Sequence, residues 1–278
     1  MESPVDDPLF FANPPTMLFL PKRSPNKLSA EQQAAWNRMR ALLGNSSEAD
    51  RIYDDLLDTE GGRVISTDLA RMLDTRYAKN PGLGALRDIK PGWDLAWRYA
   101  QNRFERELRA RKKRRRVRFM AGGWAAGKTH AVENQPSNKP DLTWDGTLKD
   151  IDWAVAMIDL AAQEGWEVEI AYIYRNLELA LYGAVERRRK EGRAVPLDQL
   201  AANHREVQQA VLNLNLLYSG APTISFLFLH NLGKKGILSD PLEIEIKELE
   251  VNGALHYLQR HEEYYAKAAK HLDQALQA

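Results

Sequence analysis

The chain has 278 residues, of which 44% are hydrophobic and 28% charged, and its formal net charge is +1 at pH 7. This composition is ordinary for a globular protein, and the near-neutral charge excludes a global electrostatic attraction to nucleic acid or to a membrane surface. The chain has no cysteine, which excludes disulfides, thiolate metal sites and a cysteine nucleophile.

The N-terminal residues predict an extended arm and no export signal. Residues 1–28 are rich in proline, and Pro14 and Pro15 interrupt the only apolar stretch there. No apolar segment is long enough for a membrane span. We therefore expect a cytoplasmic protein, and delivery into another cell by a route without a cleaved signal stays open.

The remaining elements are predicted from hydrophobic periodicity and from capping and turn residues. Helices are expected at 30–43 with Ser29 as cap, at 48–57, from near Leu69, at 93–111, 153–164 and 177–191, and from Pro241 onward. Residues 79–91 are expected to form a loop. Short apolar or β-branched runs predict five strands, near residues 63, 117, 142, 168 and 223.

Strands that alternate with helices predict an α/β fold, a mostly parallel sheet of about five strands with helices on both faces. The expected organisation is an N-terminal arm and helices over residues 1–60, a core over 61–239 and a C-terminal helical tail over 240–278.

One glycine-rich motif carries a definite chemistry. It reads Gly122-Gly123-Trp124-Ala125-Ala126-Gly127-Lys128-Thr129, directly after an apolar strand. In such a P-loop, backbone N–H groups cradle the phosphates, the lysine reaches the β- and γ-phosphates, and the Thr129 hydroxyl coordinates Mg²⁺. The sequence therefore predicts a nucleotide site that uses ATP and Mg²⁺, on a P-loop kinase-like sheet.

The segments around and after this loop resemble the zeta-toxin family of bacterial P-loop kinases. The resemblance rests on residues 119–129, 144–149, 181–187 and 193–196, with His204 at a similar spacing. It implies phosphorylation of a hydroxyl on a nucleotide-type metabolite, a UDP-N-acetyl sugar or a dinucleotide. It also implies that the protein is a toxin with a small helical antitoxin as partner.

The family places a catalytic aspartate on a strand between the P-loop and the acidic-Gly-Thr segment. Here Lys128 and Asp145 are only 17 positions apart, too few for that strand and its helix. Residues 64–71 resemble the missing segment, which predicts that Asp68 directly follows a strand that precedes the P-loop strand in the chain. Because spatial order in a parallel sheet need not follow chain order, Asp68 could still sit beside Lys128.

The resemblance assigns the remaining roles. Asp68 is the expected base, with a helix N-cap as the alternative reading, and Asp145 is the second candidate base or a substrate contact. Arg71, Thr147 and Lys149 are further expected substrate contacts. Alongside Lys128, two arginines of the helix and loop after the fourth strand are expected to neutralise the transferred phosphoryl group, namely Arg187 and Arg193, unless they form an ordinary basic helix end.

Two other functions stay open at this point. The basic run at residues 111–116 suits a polynucleotide-end kinase, although it also suits an ordinary helix terminus, and nucleic acid is not the expected partner. The rearranged aspartate keeps a non-catalytic ATP-binding module in consideration. The six histidines show no zinc-ligand spacing, so no metal other than Mg²⁺ is expected.

Overall fold

The computed structural model describes residues 28–74, 89–110, 115–133, 139–191, 195–232 and 246–249. Its strands are β1 (Val64–Ile65), β2 (Arg116–Ala121), β3 (Leu142–Asp145), β4 (Glu167–Arg175), β5 (Ile224–Asn231) and β6 (Ile246–Leu249). Its helices are α1 (Ala30–Leu43), α2 (Ser46–Asp54), α3 (Thr67–Arg71), α4 (Ile89–Ala110), α5 (Lys128–Glu133), α6 (Ile151–Gln163), α7 (Leu177–Glu191) and α8 (Leu200–Leu217).

The six strands form one sheet in the order β1-β3-β2-β4-β5-β6. The first five in this order are parallel, and β6 pairs antiparallel with β5. The α/β fold and the five parallel strands are therefore confirmed. Because the carboxyl ends of parallel strands share one edge of the sheet, the segments that follow β1, β3, β2, β4 and β5 all emerge at the same edge.

The strand that leads into the glycine loop lies inside the sheet. Strand β2 has β3 on one side and β4 on the other. Arg118 of β2 and Glu169 of β4 are directly opposite in the register, both are buried, and the guanidinium hydrogen-bonds the carboxylate. This pairing satisfies two charges that would be costly to bury alone.

Aromatic side chains pack helices α4 and α6 against β3. The ring centroids of Trp144 and Trp153 are 4.4 Å apart, and those of Trp144 and Phe104 are 5.2 Å apart. Trp97 completes the cluster at 5.6 Å from Trp153. Large rings of this kind bury much apolar area and fix relative geometry, so they set the position at which β3 ends in Asp145.

Several helix boundaries follow from local capping. Helix α1 has the predicted bounds because Ser29 and Gln32 form a reciprocal capping box. Helix α4 begins at Ile89, so the loop prediction was wrong for residues 89–91. Pro91 is tolerated there because the first N–H groups of a helix have no intrahelical partner. No helix among the described residues is long and apolar enough to cross a membrane.

The sequence-based assignment of the C-terminal residues needs one correction. Residues 246–249 form strand β6, with His230 opposite Lys247, where a helix was expected. The sequence from Leu242 to Lys247 alternates apolar and acidic or basic residues, a period-2 pattern that suits a strand. The rest of the expected tail, like the expected N-terminal arm at 1–27, lies outside the described residues.

Candidate active site

The glycine loop lies between β2 and α5 at the carboxyl edge of the sheet. Ala125 at its tip has φ +57°, a left-handed conformation that costs an L-residue about 1–2 kcal/mol. Such a conformation persists only when its surroundings hold it. The contacts that hold this loop come from four separate elements.

Helix α8 holds both backbone groups of Trp124. The Trp124 N–H donates to Asn203 Oδ1 at 2.9 Å, and His204 Nε2 donates to the Trp124 carbonyl at 2.8 Å. Both side chains are buried, at 2% exposure each. Gly123 allows this approach, because a Cβ at that position would lie 2.3 Å from His204 Cδ2.

The next two carbonyls of the loop are held by the ends of β4 and β5. Arg175 Nη1 donates to the Ala125 carbonyl at 2.9 Å, and Asn231 Nδ2 donates to the Ala126 carbonyl at 2.8 Å. Asn231, the last residue of β5, is completely buried beneath the loop.

The first two carbonyls of the loop belong to Gly122 and Gly123, and both face Lys128. Its Nζ lies 3.0 Å from the Gly122 oxygen and 3.5 Å from the Gly123 oxygen. Each carbonyl from position 122 to position 126 thus has a side-chain donor. A phosphate-binding loop needs its carbonyl oxygens held in this way, because free carbonyl oxygens that faced the ligand would repel an anion.

The His204 imidazole that binds the Trp124 carbonyl carries no charge near pH 7. Burial lowers the pKa of His204 to about 4, and the nearby charges of Lys128 and Arg175 act in the same direction, while the hydrogen bond to Trp124 opposes them. The imidazole is therefore neutral near pH 7. Since its partner is a carbonyl oxygen, the proton of the neutral ring is on Nε2.

Asp68 lies in the first turn of α3, directly after β1. The N-cap of this helix is Ser66, whose hydroxyl accepts the Asp68 N–H at 3.2 Å, so the alternative reading of Asp68 as the cap was wrong. The Asp68 carboxylate is half-exposed and 3.5 Å from Nη1 of Arg71. Asp68 and Arg71 thus form an ion pair within one segment.

The sheet order separates Asp68 from the loop by one strand. Strand β3 lies between β1 and β2, so the ends of β1 and β2 are about 10 Å apart at ordinary strand spacing. Asp145 ends β3 and is opposite Met120 of β2 in the register. Of the two candidate bases, Asp145 is therefore on the strand adjacent to the loop strand.

Tyr53 holds the junction between β1 and α3. Its hydroxyl donates to the Val64 carbonyl and accepts the Ser66 N–H, both at 3.0 Å. Burial raises its pKa, and the charge of Asp145 adds to that effect.

The other expected substrate residues surround this edge. Thr147 is half-buried in the segment after β3, whereas Lys149 is exposed and forms an ion pair with Glu206 of α8 at 3.6 Å. Arg187 lies half-buried on α7, the helix that follows β4. Arg193 lies outside the described residues.

Sequence reasoning missed helix α8 and the roles of Asn203 and Arg175. Helix α8 carries a signal that could have been used, because Leu200, His204, Val207, Val211 and Leu214 are buried at helical spacing. The partners of Asn203 and Arg175 had no signal of their own, since each contacts the loop from 50 or more positions away in sequence.

Comparison with known proteins supports part of this picture. Residues 131–224 match the family model described as zeta toxin, which confirms the resemblance over that part of the chain. The matched residues include Asp145, Arg187 and His204, and begin just after the glycine loop. No curated protein matches the chain.

Among solved structures, one similar chain comes from the PezAT chromosomal toxin-antitoxin system of the human pathogen Streptococcus pneumoniae. It is 12% identical, and the alignment covers 90% of this chain and 97% of that chain with a TM-score of 0.38. A TM-score this low carries no argument about this protein.

Proposed function

We propose that this protein is an ATP- and Mg²⁺-dependent kinase of the zeta-toxin type, which phosphorylates a hydroxyl group of a nucleotide-type metabolite. The observation that carries the proposal is the glycine loop itself. Its five consecutive carbonyls at positions 122–126 are held by side chains, and Lys128 lies against it. A loop whose backbone is fixed in this way needs little reorganisation to bind phosphate.

The residues present fit the two groups that the reaction requires. The N–H groups of the loop and the Lys128 ammonium suit a polyphosphate, and the Thr129 hydroxyl suits Mg²⁺. Among the described residues no cluster of three acidic or histidine side chains could hold a metal alone. This agrees with Mg²⁺ held mainly by phosphate oxygens and water. ATP would supply the phosphoryl group, and Mg²⁺ would neutralise its charge.

The acceptor side is proposed to lie at the ends of β3 and β1. An acceptor hydroxyl would give its proton to a carboxylate as its oxygen bonds the γ-phosphorus and the bond to the β-phosphate oxygen breaks. Asp68 remains our proposed base and Asp145 the second candidate. Arg71, Thr147 and Lys149 would contact the acceptor, while Arg187 and Arg193 would stabilise charge on the equatorial phosphoryl oxygens.

The acceptor class follows from the family resemblance, and so does the biological setting. We propose a UDP-N-acetyl sugar or a dinucleotide as acceptor, because zeta-type kinases act on metabolites that carry a nucleotide. A kinase that depletes such a metabolite would act as a toxin, and we propose that an antitoxin protein covers the nucleotide site in the producing cell.

The test is mass spectrometry of a mixture of UDP-N-acetylglucosamine, NAD and short oligonucleotides after incubation with protein, ATP and Mg²⁺. We expect one acceptor to gain a phosphate, and we expect Lys128→Ala to abolish the product. The paired variants Asp68→Asn and Asp145→Asn then assign the base, since only the base variant should lose turnover while still binding ATP. A phosphorylated oligonucleotide would replace the proposal with a polynucleotide kinase, and bound ATP without any product would favour a binding module.

A further inference from the structure

Arg175 is a partly buried cation beside the phosphate loop for which the proposed function has so far given no role. It ends β4, and its Nη1 donates to the Ala125 carbonyl at 2.9 Å. Its Nε is buried without a hydrogen-bond partner among the described residues. None of the ion pairs among those residues involves Arg175, whereas Arg103 and Arg118, which are more deeply buried, each pair with a carboxylate.

Burying a guanidinium without an anion is costly, so its retention calls for an anionic partner. Burial lowers the pKa of Arg175, as this cost requires. Arg175 and Lys128 both donate to carbonyls of the loop, at Ala125 and Gly122, and both charges lower the pKa of His204. They therefore approach the loop from different elements, β4 and α5.

Helix α7 is shaped to leave room for this side chain. A Cβ on Gly183 would lie 2.9 Å from Arg175 Nη1 and 3.7 Å from the Cβ of Ala125. The guanidinium thus lies between the Ala125 carbonyl and Gly183 of α7. A charge this close to the loop acts over a screening length of about 8 Å at physiological ionic strength.

A second buried donor lies at the same loop. Asn203 uses its Oδ1 to accept the Trp124 N–H, and its Nδ2 is buried without a hydrogen-bond partner among the described residues. Two side chains that hold adjacent loop residues thus both retain an unused N–H donor. Because both donors belong to side chains that hold the loop, a ligand rich in hydrogen-bond acceptors could satisfy them if it bound there.

We propose that Arg175 is a second cation of the polyphosphate site, which acts with Lys128 to bind the phosphates of a nucleoside triphosphate. The inference rests on the proposed nucleotide function and assigns to this site a residue outside the motif. Arg175 does so from a fixed position, because its bond to Ala125 and its packing against Gly183 hold the guanidinium in place.

The test measures the affinities of ATP, ADP, AMP and inorganic tripolyphosphate by competition with a fluorescent ATP analogue. We expect Arg175→Gln to weaken ATP and tripolyphosphate binding by about tenfold or more, as expected for loss of a charged contact. The ratio of ATP affinity to AMP affinity should also be lower in Arg175→Gln than in the wild type. Arg175→Lys, which keeps the charge, should retain most of this ratio, and Arg98→Gln on the exposed face of α4 is the matched control.

The ratio of ATP to AMP affinity shows whether Arg175 acts through its charge or only through its structural contacts. Equal weakening of ATP and AMP in the Gln and Lys variants, or unchanged ATP binding in Arg175→Gln, would overturn the inference and leave the proposed function standing. A wild-type chain that binds neither ATP nor tripolyphosphate would overturn the proposed function and this inference together. Circular dichroism of each variant checks that the fold is retained.

Discussion

The imidazole of His204 donates to the backbone carbonyl of Trp124 at 2.8 Å, which ties helix α8 to the tip of the phosphate loop. Asn203, the preceding residue, accepts the N–H of the same tryptophan at 2.9 Å. Two consecutive helical residues thus fix one peptide position of a loop that lies 79 positions earlier in the chain. The loop conformation therefore depends on tertiary contacts as well as on its glycines.

The first prediction concerns stability at acidic pH. His204 has a native pKa of about 4, against an ordinary value of 6.5. Between these values the unfolded chain binds a proton that the native chain excludes, so the free energy of unfolding should fall as pH falls from about 6.5 to about 4. The full effect is about 3 kcal/mol.

Urea denaturation at pH 7.5, 6.0 and 5.0 measures this effect. His204→Gln keeps a side-chain donor for the Trp124 carbonyl and removes the titrating group, so its stability should fall less over the same pH range. Equal pH dependence in the two proteins would show that His204 is not the group responsible.

The second prediction concerns Asn203. Asn203→Asp keeps an oxygen for the Trp124 N–H and replaces the buried Nδ2 donor with negative charge. Repulsion between that charge and the phosphates should weaken ATP binding about tenfold or more. Gln209→Glu, an exposed change of equal charge on the same helix, should have little effect. A folded Asn203→Asp variant with wild-type ATP affinity would contradict the placement of Nδ2 toward the ligand.

The third prediction tests the contact between loop and helix by steric means. In Gly123→Ala the new Cβ would lie 2.3 Å from His204 Cδ2, so the imidazole or the loop must move. We expect a loss of about 1–3 kcal/mol in stability and a large loss of ATP affinity. Gly92→Ala is the control, because a Cβ there has no neighbour within 4 Å. Calorimetric unfolding and ATP titration measure the two effects, and a neutral Gly123→Ala would refute the close approach.

The fourth prediction separates stability from binding at Gly183. Alanine is favoured over glycine inside a helix by about 1 kcal/mol, so helix propensity alone would make Gly183→Ala stabilising. A Cβ would lie 2.9 Å from Arg175 Nη1, so the guanidinium would have to leave its place against the loop, and the loss of that contact offsets the gain in helix propensity. We therefore expect near-neutral stability with weakened ATP binding. Stabilisation together with unchanged ATP binding would show that Arg175 has free space.

Much of the fold could be predicted because its signals are local. Capping residues defined α1, and short apolar runs marked the five parallel strands. The glycine motif and its position after a buried strand indicated the loop. Each signal depends on residues within a few positions of one another, so no knowledge of tertiary contacts was needed.

The parts that failed depend on partners distant in sequence. Strand β6 has a local alternating pattern, and its pairing with residues 228–231 of β5 is what identifies that pattern as a strand. In the sequence, Arg175 and Asn231 have no feature that distinguishes them from other strand ends. Only the fold shows that they donate to the carbonyls of Ala125 and Ala126. The distance of Asp68 from the loop could not be predicted for the same reason, because it depends on the position of β3 between β1 and β2 in the sheet.

The central claim is that the loop at residues 122–129 binds a nucleoside triphosphate, and calorimetric titration of ATP with Mg²⁺ tests it most directly. Wild-type protein should bind one ATP per chain, and Lys128→Ala should lower the affinity at least tenfold. Lys139→Ala, which removes an exposed lysine paired with Glu60, should bind like the wild type. Absence of ATP binding in the wild type, or equal affinity in the Lys128→Ala variant, would contradict the account.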